Sequence, residues 1–362
     1  MSRLTRAEVV DRVRHAELLE KLDLSGLDLS GLELDGAVIE GCDLRGAKLD
    51  GASFDESVVT GCDLRGASLR EVGLRVVTFD RCAMDGVTFC GTAMPHSNFH
   101  QCTMEGADFT ATRLLAPNFV QCDLTRARFG TGRLEEVVWV GCTVTGTDLA
   151  GATLVGCAIL DTDLTVLTLR GVTLRRTVMQ GCRLSGLDLS GLDLSTSLFQ
   201  GAEMAGVDLR GALLDRCNFK DAVLTEARID EARAPSSLWL GAKMEGIRGV
   251  RAVLRQAIFL GADLSRAQLS GADLHQANFV RAKCVEAQMA GADLTYADLS
   301  HADFTGANLT GATMFRAVLH RTTLTGAAVT GRALALGDDP DLARAEDFRP
   351  PAAAAIPPRP ET

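Results

Sequence analysis

The sequence predicts an all-β fold, a rod-shaped parallel β-helix whose backbone turns a corner every five residues. Three observations indicate it: a bulky apolar residue recurs at every fifth position, a small or apolar residue stands two positions before it, and residues of one kind recur every 20 positions. A period of five fits neither an α-helix at 3.6 nor a strand at 2. Its persistence along the chain is typical of repeat proteins, which grow in one dimension.

The five-residue series begins at Leu24 and ends at Leu334 without an insertion or deletion. Only Ala234 and Gly249 interrupt the bulky apolar residues, and Cys284 is a smaller member of the series. The remaining positions are mostly Asp, Asn, Ser, Thr, Arg, Gln and Gly. We therefore expect each five-residue unit to turn two side chains inward, a large one at the centre and a small one beside it.

The 20-residue spacing indicates four units per coil, because like residues then stack on like. Cysteines keep this spacing at Cys42, Cys62, Cys82, Cys102, Cys122 and Cys142, with Cys182 in the same phase. Aromatic residues keep it at Phe79, Phe99, Phe119 and Trp139, and again at Phe199, Phe219, Trp239, Phe259 and Phe279. About 16 coils stacked at roughly 4.8 Å predict a rod of about 75 Å.

Two stretches match the unit A-[DN]-L-x-x of the pentapeptide-repeat family directly. They are Ala-Asp-Leu-Ser at 262–265 and Asn-Leu-Thr-Gly-Ala at 308–312. The sequence resembles this family over residues 22–334. The resemblance implies a right-handed quadrilateral parallel β-helix with four five-residue units in each coil.

The chain divides into three predicted parts: a helical N-terminal cap at 1–20, the pentapeptide-repeat β-helix at 21–334, and a C-terminal part at 335–362. Thr5 and Glu8 form a capping-box pattern, which places a helix start in the N-terminal part. Caps are expected because the open ends of a β-helix expose unpaired strands.

The C-terminal part begins with a predicted short cap. Asp339 followed by Pro340 is typical of a helix start. We expect a helix over 340–347 that presents Leu342 to the last coil. The Pro/Ala-rich stretch after it predicts a disordered tail.

Residues 230–250 weaken the five-residue series. Ala234 and Gly249 replace bulky residues there, and Pro235 lacks the N–H that a strand ladder uses. The sequence predicts a local bulge or bend in this region.

The cysteines and histidines predict no metal centre. The chain has eleven cysteines, none in a C-x-x-C pair, and the recurring ones occupy small inward positions where a thiol packs as an apolar group. Cys90 falls on an outward position and is the expected reactive thiol. The six histidines fall on different coils or sides, so we expect none of them to gather with carboxylates.

No catalytic or cofactor-binding motif is present, neither a nucleophile elbow, nor a zinc-protease motif, nor a phosphate-binding loop. A rod of this kind also lacks a concave pocket for a substrate. The sequence therefore predicts a protein that is not an enzyme and that needs no cofactor.

Many outward positions carry Asp, and the formal net charge is −10. Direct nucleic-acid binding is not expected, because phosphate recognition requires a basic face. The best-known members of the resembled family mimic duplex DNA and bind DNA gyrase, so the resemblance implies a topoisomerase as a possible partner. Arginines interleave with the acids along the rod, which favours an ordinary solvated face instead.

One side of the rod is apolar where the opposite side is polar. The outward positions beside the aromatic series between 138 and 260 are mostly apolar, whereas the opposite side over 148–270 is almost entirely polar. Contiguous exposed apolar surface usually marks a contact site. The predicted protein interface comprises Val138, Val140, Leu160, Val178, Leu198, Leu238, Leu240, Ile258 and Leu260.

The leading hypothesis is a cytoplasmic, non-catalytic interaction scaffold that docks a protein partner, or a second copy of itself as a homodimer, along this side. No apolar stretch is long enough to cross a membrane, and no signal peptide is expected. The opening at 4–10 and 22–30 also resembles pentapeptide-repeat proteins associated with bacterial type VI secretion, which implies a secretion-system component as a possible partner. The alternative is a DNA-mimic inhibitor or protector of DNA gyrase or another type II topoisomerase.

Overall fold

A computed structural model describes residues 2–169 and 171–347. The chain forms an all-parallel β-helix of about 16 coils, which confirms the fold predicted from the five-residue series. Every strand pairing joins residues 20 positions apart once the coils begin at Leu19; Val138, for example, pairs with Asn118 on one side and Ala158 on the other. The 20-residue recurrence in the sequence is therefore the length of one coil.

Two of the four sides carry regular strands in the N-terminal half. The first side forms an eight-stranded sheet in the order β14-β12-β10-β8-β6-β5-β4-β2. These strands are β2 (Leu19–Glu20), β4 (Val38–Glu40), β5 (Val58–Thr60), β6 (Thr78–Asp80), β8 (Asn98–His100), β10 (Asn118–Val120), β12 (Val138–Val140) and β14 (Ala158–Leu160). The neighbouring side forms a five-stranded sheet of β7 (Ala93–Pro95), β9 (Arg113–Leu115), β11 (Arg133–Glu135), β13 (Thr153–Val155) and β15 (Thr173–Arg175).

Two short strand pairs and three helical segments complete the described elements. The pairs are β1 (Ser2–Arg3) with β3 (Leu22–Asp23) and β16 (Asn308–Leu309) with β17 (Ala328–Val329). The helical segments are α1 (Arg6–Arg14), a 3₁₀ turn at Arg332–Leu334 and α2 (Pro340–Asp347). Elsewhere the coils are joined by single-residue parallel bridges.

The hydrogen bonds of one unit explain its composition. In the unit around Leu44, the central N–H donates to Asp63 O at 2.7 Å in the next coil, and Asp43 N–H donates to Leu22 O at 2.9 Å in the previous one. The N–H that follows the central residue, that of Arg45, has no ladder acceptor and donates to the Asp43 carboxylate at 3.1 Å. An Asp or Asn before the central residue thus supplies the acceptor that the turn lacks.

Small inward residues that carry a hydroxyl or thiol bond to the coil before them. Ser57 Oγ donates to Leu34 O at 2.6 Å, and Cys157 Sγ donates to Leu134 O at 3.3 Å. Each acceptor lies 23 positions earlier in the chain. These side chains therefore satisfy their own polar atoms inside the core, as buried polar groups must.

Aromatic rings stack along the axis of the rod. Phe79, Phe99 and Phe119 have successive ring centroids 5.4 and 4.8 Å apart with nearly parallel planes. Phe219 and Trp239 stack at 4.1 Å in the C-terminal half. The rings face one another because the coil spacing sets the separation of identical positions.

A bulge or bend was predicted at 230–250. The structure has no bulge there, so that part of the prediction is wrong. The ladder keeps its 20-residue register through Arg233–Val253 and Arg228–Arg248. Pro235 occupies the position after a central residue, whose N–H makes no ladder bond, so the proline removes none. Gly249 is closely flanked, since a Cβ built there would lie 2.9 Å from side-chain atoms of Ile229 and Leu269.

The two ends of the described chain differ in their contacts. Helix α1 begins with the predicted capping box of Thr5 and Glu8, and its Val9 is buried. Leu342 of α2, expected against the last coil, is instead 46% exposed, because α2 is held by the polar contacts described below. The predicted Pro/Ala-rich tail lies outside the described residues. None of the described helices is long and apolar enough to cross a membrane.

Candidate interaction surface

The structure places all nine predicted interface residues on one side of the rod, in two adjacent rows. One row follows the bridges from Val138 through Ala158, Val178, Leu198, Asn218 and Leu238 to Ile258. The other contains Val140, Leu160, Leu240 and Leu260, the outward residues that follow the central ones. We call these nine residues the apolar stripe.

The side chains of the stripe are half-buried because each packs against its neighbours one coil above and below. Leu238 is the most exposed, at 37%. The central residues between the two rows, among them Trp139 and Trp239, are fully buried. The stripe is thus the outer surface of a side whose inner surface is the aromatic stack.

Polar pairs bound the stripe towards the N-terminus. On the same side, Asn118 Nδ2 donates to Asn98 Oδ1 at 2.8 Å, and the His100 ring lies 2.6 Å from Asp80. Asn218 interrupts the first row, and Gln180, Gln200 and Lys220 interrupt the second row. The apolar surface therefore covers a limited part of the rod and is not a property of the whole side.

The opposite side is charged and internally paired. The Asp208 carboxylate accepts from Arg210 Nη2 at 2.6 Å and lies 3.7 Å from Arg228 Nη1. The hydrogen bond from Arg210 holds the pKa of Asp208 below its ordinary value. Ion pairs of this kind keep the acid ionised but contribute little to stability in solvent.

Many of the outward carboxylates are engaged in the turns of the helix itself. Asp163 accepts from Thr165 N at 3.0 Å and from Thr165 Oγ1 at 2.6 Å. These bonds lower the pKa of Asp163, with the Thr165 hydroxyl as the main cause. The recurrence of Asp along the rod therefore has a structural explanation that requires no partner.

Ten of the eleven cysteines are buried and all are free thiols, whereas Cys90 is half-exposed. Burial raises the pKa of the Cys157 and Cys182 thiols to about 11. A thiol with a raised pKa is neither a good nucleophile nor a metal ligand at neutral pH.

The histidine prediction requires a correction. His301, His320 and Glu346 do gather, with one ligand atom of each within 4.8 Å of the others, and His100 pairs with Asp80. The sequence did not reveal the cluster because Glu346 comes from α2, whose direction relative to the coils no periodicity predicts. The near-20 spacing of His301 and His320 was the available signal.

The comparisons with known proteins agree with this architecture. A family model described as pentapeptide repeats (8 copies) matches residues within 19–130, 167–234 and 250–331. Among curated protein sequences there is no match.

The solved structures that the chain matches include QnrB1, described as a plasmid-mediated fluoroquinolone resistance protein. It has 19% identity and a TM-score of 0.47, and the match covers 49% of this chain and 89% of QnrB1. HetL, a pentapeptide repeat protein involved in heterocyst differentiation regulation in the cyanobacterium Nostoc, has 20% identity and a TM-score of 0.19 over 83% of this chain and 96% of its own. A pentapeptide repeat protein from the Arabidopsis thaliana thylakoid lumen has 24% identity and a TM-score of 0.18 over 35% and 67% of the two chains.

Proposed function

Because the chain belongs to the pentapeptide-repeat family, we propose that it is a non-catalytic interaction scaffold that docks a protein along the apolar stripe. Membership of the family accounts for a rod-shaped protein that has no catalytic activity. The stripe accounts for a specific contact, since the fold does not require apolar residues at these outward positions. The docked protein is either a different partner or a second copy of the rod.

The single observation that carries this proposal is the contrast between the outward residues of two opposite sides of the rod. Both sides are formed by the same five-residue unit. The outward residues Leu240 and Leu260 are apolar, whereas the residues at the equivalent positions of the opposite side include Asp230 and Ser270. Both sets are half-buried and both flank a fully buried central residue. Solvent exposure alone would favour polar residues on both, so a contact that removes the stripe from water explains the difference.

Burial of the apolar stripe against a partner is energetically favourable. Apolar surface removed from water contributes roughly 25 cal/mol per Å². The rigid stripe loses little conformational entropy on binding, because its side chains already pack against the adjacent coils. A second copy would bind by two-fold symmetry and present the same stripe to itself.

The test is the solution mass from light scattering of the wild-type chain and of Leu240→Asp with Leu260→Asp. The matched control is Ser270→Asp with Ala290→Asp, which adds two stacked carboxylates at the equivalent positions of the opposite side. A dimer that only the stripe variant converts to a folded monomer identifies the docked protein as a second copy. A wild-type monomer directs the search to a different partner, captured by the wild type and the control but not by the stripe variant.

The proposal fails if the stripe variant and its control behave alike in both experiments. Folding of each variant is checked by circular dichroism. Loss of a partner from both variants would show that added charge, rather than the stripe, changed binding.

The alternative is a DNA-mimic modulator of DNA gyrase or a related topoisomerase. Stacked carboxylates such as Asp23, Asp43 and Asp63 support it, because their bridges repeat at the coil spacing. Arg45 and Arg65 count against it, since each binds one of these carboxylates at 2.6 Å. A gyrase supercoiling assay decides: inhibition or protection that is lost in an Asp23→Lys variant would favour the mimic over the scaffold.

An association with a secretion system stays a weaker proposal. It is supported only by the short resemblance of the opening segment. Co-purification with the components of such a system, lost in the stripe variant, would assign the docked partner to it.

A further inference from the structure

A second polar site lies where α2 meets the last coils. His301 Nε2 lies 3.1 Å from Glu346 Oε1, and His320 Nε2 lies 3.3 Å from Glu346 Oε2. One carboxylate thus faces two imidazole nitrogens. The two rings pack edge to face with centroids 5.4 Å apart.

The two histidines are held rigidly by the β-helix. His301 N donates to His320 O at 2.8 Å, so they lie on successive coils. The His320 side chain is only 2% exposed, whereas the His301 side chain is 29% exposed. The His320 ring is therefore buried within the β-helix, whereas the His301 ring is accessible from the surface.

Arg321 places Glu346 opposite these rings. Its Nε lies 3.1 Å from Glu346 Oε2, and its Nη2 binds Asp347 Oδ2 at 2.7 Å and donates to Ala343 O at 3.0 Å. The guanidinium thus orients the last turn of α2 while leaving Oε1 to His301.

We propose that His301, His320 and Glu346 form a binding site for Zn²⁺ that fastens α2 to the rod. Two imidazoles and one carboxylate are ligands that zinc accepts, with water as the fourth. The three ligand atoms already lie within 4.8 Å of one another. Shifts of less than about 1 Å bring them to zinc bonding distances of roughly 2.0–2.2 Å.

Zinc binding requires His320 to change tautomer. At present Asp339 N–H donates to His320 Nδ1 at 3.2 Å, so Nε2 carries the proton and donates it to Glu346. Zinc takes the place of that proton, and Nδ1 becomes protonated instead, so the ring stays neutral. Asp338 Oδ1, which already accepts from Arg321 N at 2.6 Å, lies 3.8 Å from Nδ1 and must move closer to accept the new N–H, and water replaces the ring beside the exposed Asp339 backbone.

The local charge favours a cation. Residues 338–347 contain five acids, Asp338, Asp339, Asp341, Glu346 and Asp347, against Arg344 and the neighbouring Arg321. A glutamate carboxylate is ionised at neutral pH, as a zinc ligand must be.

The experiment is equilibrium dialysis of the full chain, first stripped with a chelator, against zinc chloride. We expect one Zn²⁺ per chain with a dissociation constant in the micromolar range or below. Glu346→Gln and His301→Gln should each weaken binding at least tenfold, and both positions are partly exposed, so both variants are expected to fold. His100→Gln is the matched control, because His100 faces only one carboxylate, that of Asp80, and no second imidazole.

A second readout separates this site from the cysteines. Cobalt bound by imidazole and carboxylate gives no thiolate-to-metal absorption in the near ultraviolet, and hydrogen exchange in 340–347 should slow when zinc is added. The proposal is overturned if the wild type binds no zinc, if both ligand variants retain full affinity, or if bound cobalt shows the thiolate band.

Discussion

The residue that closes most of the five-residue units adopts a positive φ, and it does so with glycine and with other side chains. Gly66 has φ of +67° and Val76 has φ of +60° at equivalent positions. The corner of the β-helix requires this conformation, because the chain must turn there onto the next side of the coil. A β-branched side chain is the least suited to it, since its Cβ crowds the following carbonyl.

Val76→Gly is therefore expected to stabilise the protein. Relief of left-handed strain of roughly 1–2 kcal/mol outweighs the backbone entropy of glycine, about 0.5–1 kcal/mol. Gly66→Val should destabilise, and strain is its main effect, because a Cβ there meets nothing within 4 Å. Free energies of unfolding from urea titration give both values, and changes of equal sign in the two variants would contradict the argument.

The two buried tryptophans differ in whether the indole N–H has a hydrogen-bond partner. Trp239 Nε1 donates to Ser237 Oγ at 2.6 Å, and that hydroxyl donates to Ala234 O at 2.6 Å. Trp139 has Val137 at the position of the serine, and its buried Nε1 has no hydrogen-bond partner among the described residues.

Ser237→Ala should cost about 1–3 kcal/mol, because it leaves the Trp239 N–H buried and unpaired. Ser97→Ala is the control, since Ser97 donates only to Leu74 O and its loss strands no donor. Val137→Thr should be tolerated better than Val77→Thr, because only the former gives a tryptophan N–H an acceptor. Thermal unfolding of the four variants measures the differences, and equal losses at Ser237 and Ser97 would exclude the pairing effect.

At the scale of the five-residue unit, the Asp before the central residue is a turn element. Asp293 accepts from Thr295 N at 3.0 Å and takes part in no ion pair within the described residues. Asn offers the same acceptor without charge, whereas Ala offers none. The family's preference for Asp or Asn at this place follows from the missing ladder acceptor rather than from charge.

Asp293→Asn is expected to leave stability almost unchanged, and Asp293→Ala to lower it by about 1 kcal/mol, the typical net value of one hydrogen bond. Chemical denaturation of the two variants measures the difference. Equal effects would show that the turn does not need its acceptor.

The same bonds predict acid unfolding. Hydrogen bonds in the turns lower the pKa of Asp23, Asp28 and Asp163 below the ordinary 3.8. A lowered pKa in the folded state stabilises the fold above the unfolded-state pKa, and that stability is lost as the pH falls through the folded-state values. The melting temperature should therefore be nearly constant from about pH 7 to 5 and fall below about pH 4, and a fall already near pH 6 would contradict this origin.

At the scale of the whole molecule, stability comes from coil-on-coil stacking, so the register of four sides matters more than chain length. Deleting residues 245–264 removes one coil and keeps every side continuous. Deleting 245–254 removes half a coil and turns the following sides through half a revolution, so Phe259 leaves the column of Trp239.

We expect the half-coil deletion to lower the melting temperature more than the full-coil deletion, although it removes fewer residues. Differential scanning calorimetry of both variants tests this. A smaller loss in the half-coil variant would show that the five-residue unit, not the coil, is the unit of stacking.

Some features could be predicted from the sequence because they repeat. The series from Leu24 to Leu319 set the buried inward positions, and Cys42 to Cys142 set the coil length, because the repeated spacing reflects the geometry of one coil. Leu334, the last residue of the predicted series, is instead 59% exposed in a 3₁₀ turn. The bulge predicted within 230–250 is absent, because Pro235 occupies a position whose N–H makes no ladder bond, which the sequence of a single unit does not reveal. The stripe remains a prediction of function, although its residues do share one side.

The sequence by itself therefore determined the β-helix, its four sides and the contrast between them, because each depends on interactions between residues 20 positions apart. Only the tertiary structure decided that Glu346 faces His301 and His320, and that Leu342 is 46% exposed. The reason is physical: α2 lies outside the repeat, and its placement depends on a few polar contacts with Arg321 and the histidines that no periodic pattern encodes.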